Sequence, residues 1–122
     1  MSEYMAQTND TQEAEKMIRD YQMTQEQLRA ASMQLDQMQM QKAELSKAKE
    51  EITGSTGKVY ISVGGIIVET TKEKALEEIK SRSEMNDVRI TSVTKQYTEL
   101  KAKDKQLSER LTQMYKQSKG TS

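Results

Sequence analysis

The sequence predicts a mainly α chain: two long helices that pair as an antiparallel coiled coil, joined by a single β-hairpin. Three observations lead there. Apolar residues recur at alternating threes and fours along two long stretches. A short β-branched run with Gly64-Gly65 at its centre separates them. Proline is absent, and Glu, Lys, Gln, Met, Ala and Leu are abundant, the residues that lose least on entering a helix.

The 122 residues allow at most one domain, and with 34% hydrophobic residues and five Tyr as the only aromatics they cannot bury a large globular core. Nineteen basic residues balance nineteen acidic ones, so no general charge draws the chain to nucleic acid or to anionic lipid. The absence of Cys argues against a disulfide-stapled secreted fold and suits a reducing cytosol. No apolar run approaches the ~18 residues of a membrane span, and the N-terminus lacks an apolar signal core. A cytoplasmic chain is expected.

Residues 1–9 are polar around Tyr4 and Met5 and are expected to be mobile. Asp10-Thr-Gln-Glu13 has capping-box spacing, which places the first helix over 10–53. Its stripe is Ala14, Met17, Tyr21, Leu28, Ala31, Leu35, Met38, Leu45 and Ile52, with Thr24, Lys42 and Lys49 in the missing heptad places. Gly54 and Gly57 end it. The second helix, over 71–119, starts at another capping-box candidate, Thr70-Thr-Lys-Glu73. Its stripe is Leu76, Ile79, Ser83, Asn86, Ile90, Val93, Tyr97, Leu100, Asp104, Leu107, Leu111 and Met114. A period near 3.5 sustained over several heptads indicates a left-handed coiled coil. At ~1.5 Å per residue each helix would reach about 60–70 Å, too long to stand without a partner.

A chain that turns back through a hairpin sets the helices antiparallel. One register pairs Met17 with Leu111, Tyr21 with Leu107, Leu28 with Leu100, Leu35 with Val93, Met38 with Ile90 and Ile52 with Leu76. It sets Ala31 against Tyr97, and it pairs the polar intruders, Thr24 with Asp104 and Lys42 with Asn86. A shift of one heptad would face these polar groups with apolar ones, which is costly.

The segment 58–70 is the part that does not read as helix. A two-residue turn at Gly64-Gly65 aligns Val63 with Ile66, Ile61 with Val68 and Val59 with Thr70. Val59, Ile61, Val63, Ile66 and Val68 then form one aliphatic face, and Tyr60, Ser62, Ile67 and Glu69 the other. A lone hairpin is marginal in water and has two open edges. Its aliphatic face must be covered, either by the chain's own helices or by other chains. The helices use their stripes on each other, which favours other chains.

Nothing points to catalysis. There is no His or Cys to build a transition-metal site or an ordinary nucleophile–base pair. Gly54-Ser-Thr-Gly57 lacks the Lys-Ser/Thr element of a phosphate loop. Glu73, Glu77 and Lys80 have normal helix-surface spacings. A non-enzymatic chain without cofactor or metal is expected.

The run Val59-Tyr60-x-x-Val63-Gly64-x-x-Ile67-Val68-x-Thr70-Thr71-Lys72-Glu73-Lys74-Ala75 resembles the hairpin and second-helix start of beta-class prefoldin subunits, archaeal or eukaryotic. The layout is similar over roughly residues 14–117, and one hairpin rather than two fits the beta class. The chain departs from the family at Ser83, Asn86 and Lys42, which are polar where relatives usually carry aliphatic seam residues. The resemblance implies an ATP-independent holdase. Hairpins of alpha-class and other beta-class subunits would assemble with this one into an intersubunit β-barrel of a hexamer. Coiled-coil tips would grip non-native polypeptides and pass them to a group II chaperonin. Oligomerisation would use Val59, Tyr60, Ile61, Val63, Ile66, Ile67 and Val68. Client binding would use Met17, Ile18, Leu111, Met114 and Tyr115, with Ile18 and Tyr115 favoured because they lie outside the seam. The Asp104–Thr24 layer would be a point where the tip frays. The rival reading is a structural tether whose hairpin is an oligomerisation clip.

Overall fold

In a computed structural model of the chain, two helices flank one hairpin: α1 (Ser2–Gly54), β1 (Val59–Val63), β2 (Ile66–Thr70) and α2 (Lys72–Gly120). The structure describes the backbone of residues 2–120 and the side chains of residues 11–117. Its contacts divide into two compact units, Met1–Met33 with Lys95–Ser122, and Gln34–Thr94.

Helix α1 starts at Ser2, not near Asp10. No Gly or Pro interrupts residues 2–10, so nothing there ends a helix, and the capping-box spacing at Asp10 goes unused. Residues 2–9, expected to be mobile, are helical in backbone; the side chain of Met5 lies outside the described residues. The α1 C-terminus falls at Gly54 as the glycines suggested. The Ser55 N–H then donates to the Ile52 carbonyl at 3.2 Å, and the Gly57 N–H to the Ser55 hydroxyl at 3.3 Å. Helix α2 is capped one residue later than the capping box implied. Thr71, not Thr70, is the N-cap, its hydroxyl accepting the Lys74 N–H at 3.2 Å. Lys74 stands where a capping box needs Glu or Gln, so the cap is one-sided.

In the unit 34–94, α1 and α2 run antiparallel: Lys42 meets Asp87 at 3.4 Å, and the Lys72 ammonium reaches back to the Thr53 carbonyl at 2.6 Å. The stripe positions Leu35, Met38, Leu45, Ile52, Leu76, Ser83 and Ile90 are half-buried, and Ile79 and Val93 are buried. Near the hairpin the contact drifts by one position. Ala48 takes the place expected of Lys49, and Ala75 is buried just ahead of Leu76. A straight α-helix gains on a 3.5-residue repeat, so such drift is the geometric default.

In the other unit, Met17, Tyr21, Leu28, Leu100, Leu107, Leu111 and Met114 are half-buried, and Ala31 is buried. Gln25 donates to the Asp104 carboxylate, one position from the expected Thr24–Asp104 layer. Full burial is rare in both units because two helices cover a seam from one direction only.

Candidate functional site

Two residues in the left-handed region make the hairpin. Gly64 (φ 54°) and Gly65 (φ 85°) form the two-residue turn, the type I′ geometry that matches strand twist. The register is Val59↔Thr70, Tyr60↔Glu69, Ile61↔Val68, Ser62↔Ile67 and Val63↔Ile66, as the turn predicts. At the hairpin base Lys58 stands 4.0 Å from Glu69. Lys72 also anchors the base. Its ammonium lies on the Thr53 carbonyl in the last turn of α1 and, at 3.5 Å, on the Ser55 carbonyl just beyond it. A cation there satisfies orphan acceptors and opposes the helix dipole.

The hairpin does not fold back on its own helices. Val63 is 56% exposed, Ile66 67% and Val68 46% on one face; Tyr60 is 56% and Ile67 73% exposed on the other. Only Val59 and Thr70, at the base of the hairpin, and Ile61 are half-buried among the strand residues. Five large apolar side chains on ten strand residues, with both strand edges open, form a surface that a soluble chain normally covers.

The helix ends carry the other expected site. Ile18 and Tyr115 are exposed, and Met17, Leu111 and Met114 are half-buried in the seam. The polar layer in the same unit resolves differently from the pairing expected. Thr24 is fully buried, but its hydroxyl donates to its own helix, to the Asp20 carbonyl at 2.7 Å. Asp104 turns outward to Gln25. Both partners are satisfied separately, which removes the reason for expecting the layer to fray.

A second polar layer lies in the unit 34–94. Lys42 does not face Asn86; it swings out to Asp87, both side chains half in solvent. Asn86 is 5% exposed and donates through Nδ2 to the Met38 carbonyl at 2.9 Å, while its Oδ1 has no partner. A helical carbonyl points toward the residue four ahead, here Lys42, so Asn86 stands over the expected turn of α1. Beside it opens a groove of about 490 Å³. The sequence showed the polar intruders but not the groove, whose lining includes the small residue Ala48.

Among the described residues no cluster of His, Cys, Asp or Glu could hold a metal ion, and no helix is long and apolar enough to cross a membrane.

Residues 15–118 match the family described as prefoldin subunit. The prefoldin beta subunit of Pyrococcus abyssi is 34% identical over 101 residues, covering 81% of this chain and 86% of the relative. That of Methanosarcina acetivorans is 31% identical over the same shares. This chain belongs to the prefoldin family. The crystal structure of the prefoldin beta subunit from Thermococcus strain KS-1 superposes with a TM-score of 0.75 at 31% identity, covering 84% of this chain and 91% of that one. The single hairpin between two helices is thus the beta-class prefoldin architecture, and prefoldin is a chaperone family rather than an enzyme family.

Proposed function

We propose that this prefoldin subunit works as an ATP-independent holdase in the cytoplasm. Its hairpin joins those of alpha-class subunits and further beta-class copies in an intersubunit β-barrel, giving a hexamer. Its helix ends hold non-native polypeptide for delivery to a group II chaperonin. The observation that carries this reading is the uncovered hairpin, apolar on both faces and unpaired at both edges. Strand addition by neighbours satisfies the edges and buries the faces in one step. The aliphatic face of Val59, Ile61, Val63, Ile66 and Val68 is the one turned into the barrel, with Tyr60 and Ile67 on its outer side. At the helix ends, Ile18 and Tyr115 offer exposed apolar contact, and the flexible thioethers of Met17 and Met114 adapt to varied clients. Leu111 adds a seam side chain between them.

The test has two readouts. Light scattering of the chain with an alpha-class prefoldin subunit should show a stable hetero-oligomer, and that oligomer should suppress aggregation of a denatured client without nucleotide. A chain that stays monomeric with its partner removes the assembly reading. Assembly without suppression would leave a tether.

A further inference from the structure

The polar layer at Asn86 leaves something undone. A side chain this buried normally finds partners for all its polar atoms, and an orphaned acceptor costs about 1–3 kcal/mol. Asn86 Oδ1 has none, and Asn86 lines the groove between α1 and α2. The apolar part of its lining is Leu45 and Ala48 from α1 and Met85 from α2. Arg82 and Arg89 stand in its α2 wall against a single carboxylate, Glu44, in the lining. Met85 is exposed and Arg89 is exposed. Arg82 is held only by an exposed i,i+4 pair with Glu78 at 2.9 Å, a contact worth a few tenths of a kcal/mol.

We infer that this groove is a docking site for an extended polypeptide segment that carries acidic side chains three residues apart with apolar ones between. Three features fit that occupant together. Seven residues of α2 separate Arg82 from Arg89, a rise of roughly 10 Å. A polyproline-II segment, a major conformer of unfolded chains, repeats every three residues at ~3.1 Å each, so carboxylates at i and i+3 recur about 9 Å apart on one side. Its backbone N–H groups make no internal hydrogen bonds, so one is available to Asn86 Oδ1 once the side chains that bury that oxygen move aside. Apolar side chains of the segment meet Leu45 and Met85, and the thioether, with three rotatable bonds, adapts to them. The inference builds on the holdase reading and adds a second contact for the held chain, with a charge preference that the helix ends do not supply.

The probe is a fluorescein-labelled peptide, Gly-Ser-Glu-Leu-Ser-Glu-Leu-Ser-Gly-Ser, and its counterpart with Lys for Glu. Both are titrated by fluorescence polarisation against the full-length chain assembled with an alpha-class subunit. The acidic probe should bind about fivefold or more tighter than the basic one, the size of one or two exposed ion pairs. Arg89→Gln should erase most of that preference. Ala48→Met, which adds bulk to the lining, should weaken the acidic probe while leaving the helical circular dichroism unchanged. In a ¹⁵N spectrum of the ¹⁵N-labelled chain the Asn86 side-chain amide should shift on adding the acidic probe. Equal binding of the two peptides, or a preference that survives Arg89→Gln with Asn86 unmoved, overturns the inference. Aggregation suppression measured on the same sample keeps the outcomes apart: retained suppression with no charge preference sinks the groove alone, and lost suppression sinks the holdase reading.

Discussion

If the hairpin is an assembly joint, its two faces should differ in what they lose. Consider Val63→Ser, Ile66→Ser and Val68→Ser together. Between roughly half and two-thirds of each of these side chains is uncovered in the single chain. Complete burial of a Val or Ile is worth about 1.5–3 kcal/mol, so covering what remains contributes about 1–1.5 kcal/mol per residue and about 3–4 kcal/mol for the three. Since ~1.4 kcal/mol is tenfold in affinity, the ceiling lies between a hundred- and a thousandfold. Ordering and desolvation at an interface take back part of any such gain, so we expect the lower end, about a hundredfold. The assay is sedimentation velocity with an alpha-class subunit over a dilution series. Serine also weakens strands, so the corresponding Thr variant, which keeps β-branching, is run beside it and should lose less. The paired variant Tyr60→Ser with Ile67→Ser, on the opposite face, should cost less than about tenfold. The reasoning is refuted if the three-serine chain assembles as well as the parent, or if the opposite-face variant loses as much.

Four further outcomes follow from the same geometry. Gly65→Ala places a Cβ on a residue at φ 85° and should cost about 1–2 kcal/mol of hairpin stability, read as weaker assembly, whereas Gly64→Asn should be nearly neutral because Asn suits the first turn position. Lys72→Met removes the cation from the Thr53 and Ser55 carbonyls; the Ser55 amide should exchange faster by roughly threefold, with little change in the thermal midpoint of the chain. Leu28→Cys with Leu100→Cys should oxidise to a disulfide, while Leu28→Cys with Val93→Cys or Leu107→Cys should not; efficient linkage of either shifted pair contradicts the register. Asn86→Leu removes an orphaned acceptor and should raise stability by about 1–2 kcal/mol in a chemical melt, so a destabilised variant would show that the bond to Met38 outweighs the unpaired oxygen.

The register and the polar layers separate what the sequence could disclose from what it could not. Heptad positions are read from spacing, and spacing alone decides which residues share a seam; Leu35, Met38, Ile90 and Val93 lie where their numbers put them. The hairpin register was equally legible, because two adjacent glycines leave one short turn and that turn fixes every pair above it. Thr24 and Asn86 were also placed correctly, as buried polar residues. What spacing does not encode is the choice each of them makes once buried. A threonine on a helix can always bond the carbonyl four residues back, so Thr24 needs nothing from Asp104. A lysine on a seam can reach out along its four-carbon stem, so Lys42 abandons Asn86 for Asp87 and solvent. Asparagine has neither escape: its short amide must find two kinds of partner where it stands, and the Met38 carbonyl answers only its donor half. The one buried unsatisfied polar side-chain atom among the described residues therefore falls on the seam residue with the least freedom to leave. It also falls beside a groove whose lining includes Ala48. Neither residue is unusual alone. Their placement on facing helices comes from the register, and the same register that made the fold readable creates the groove that spacing did not reveal.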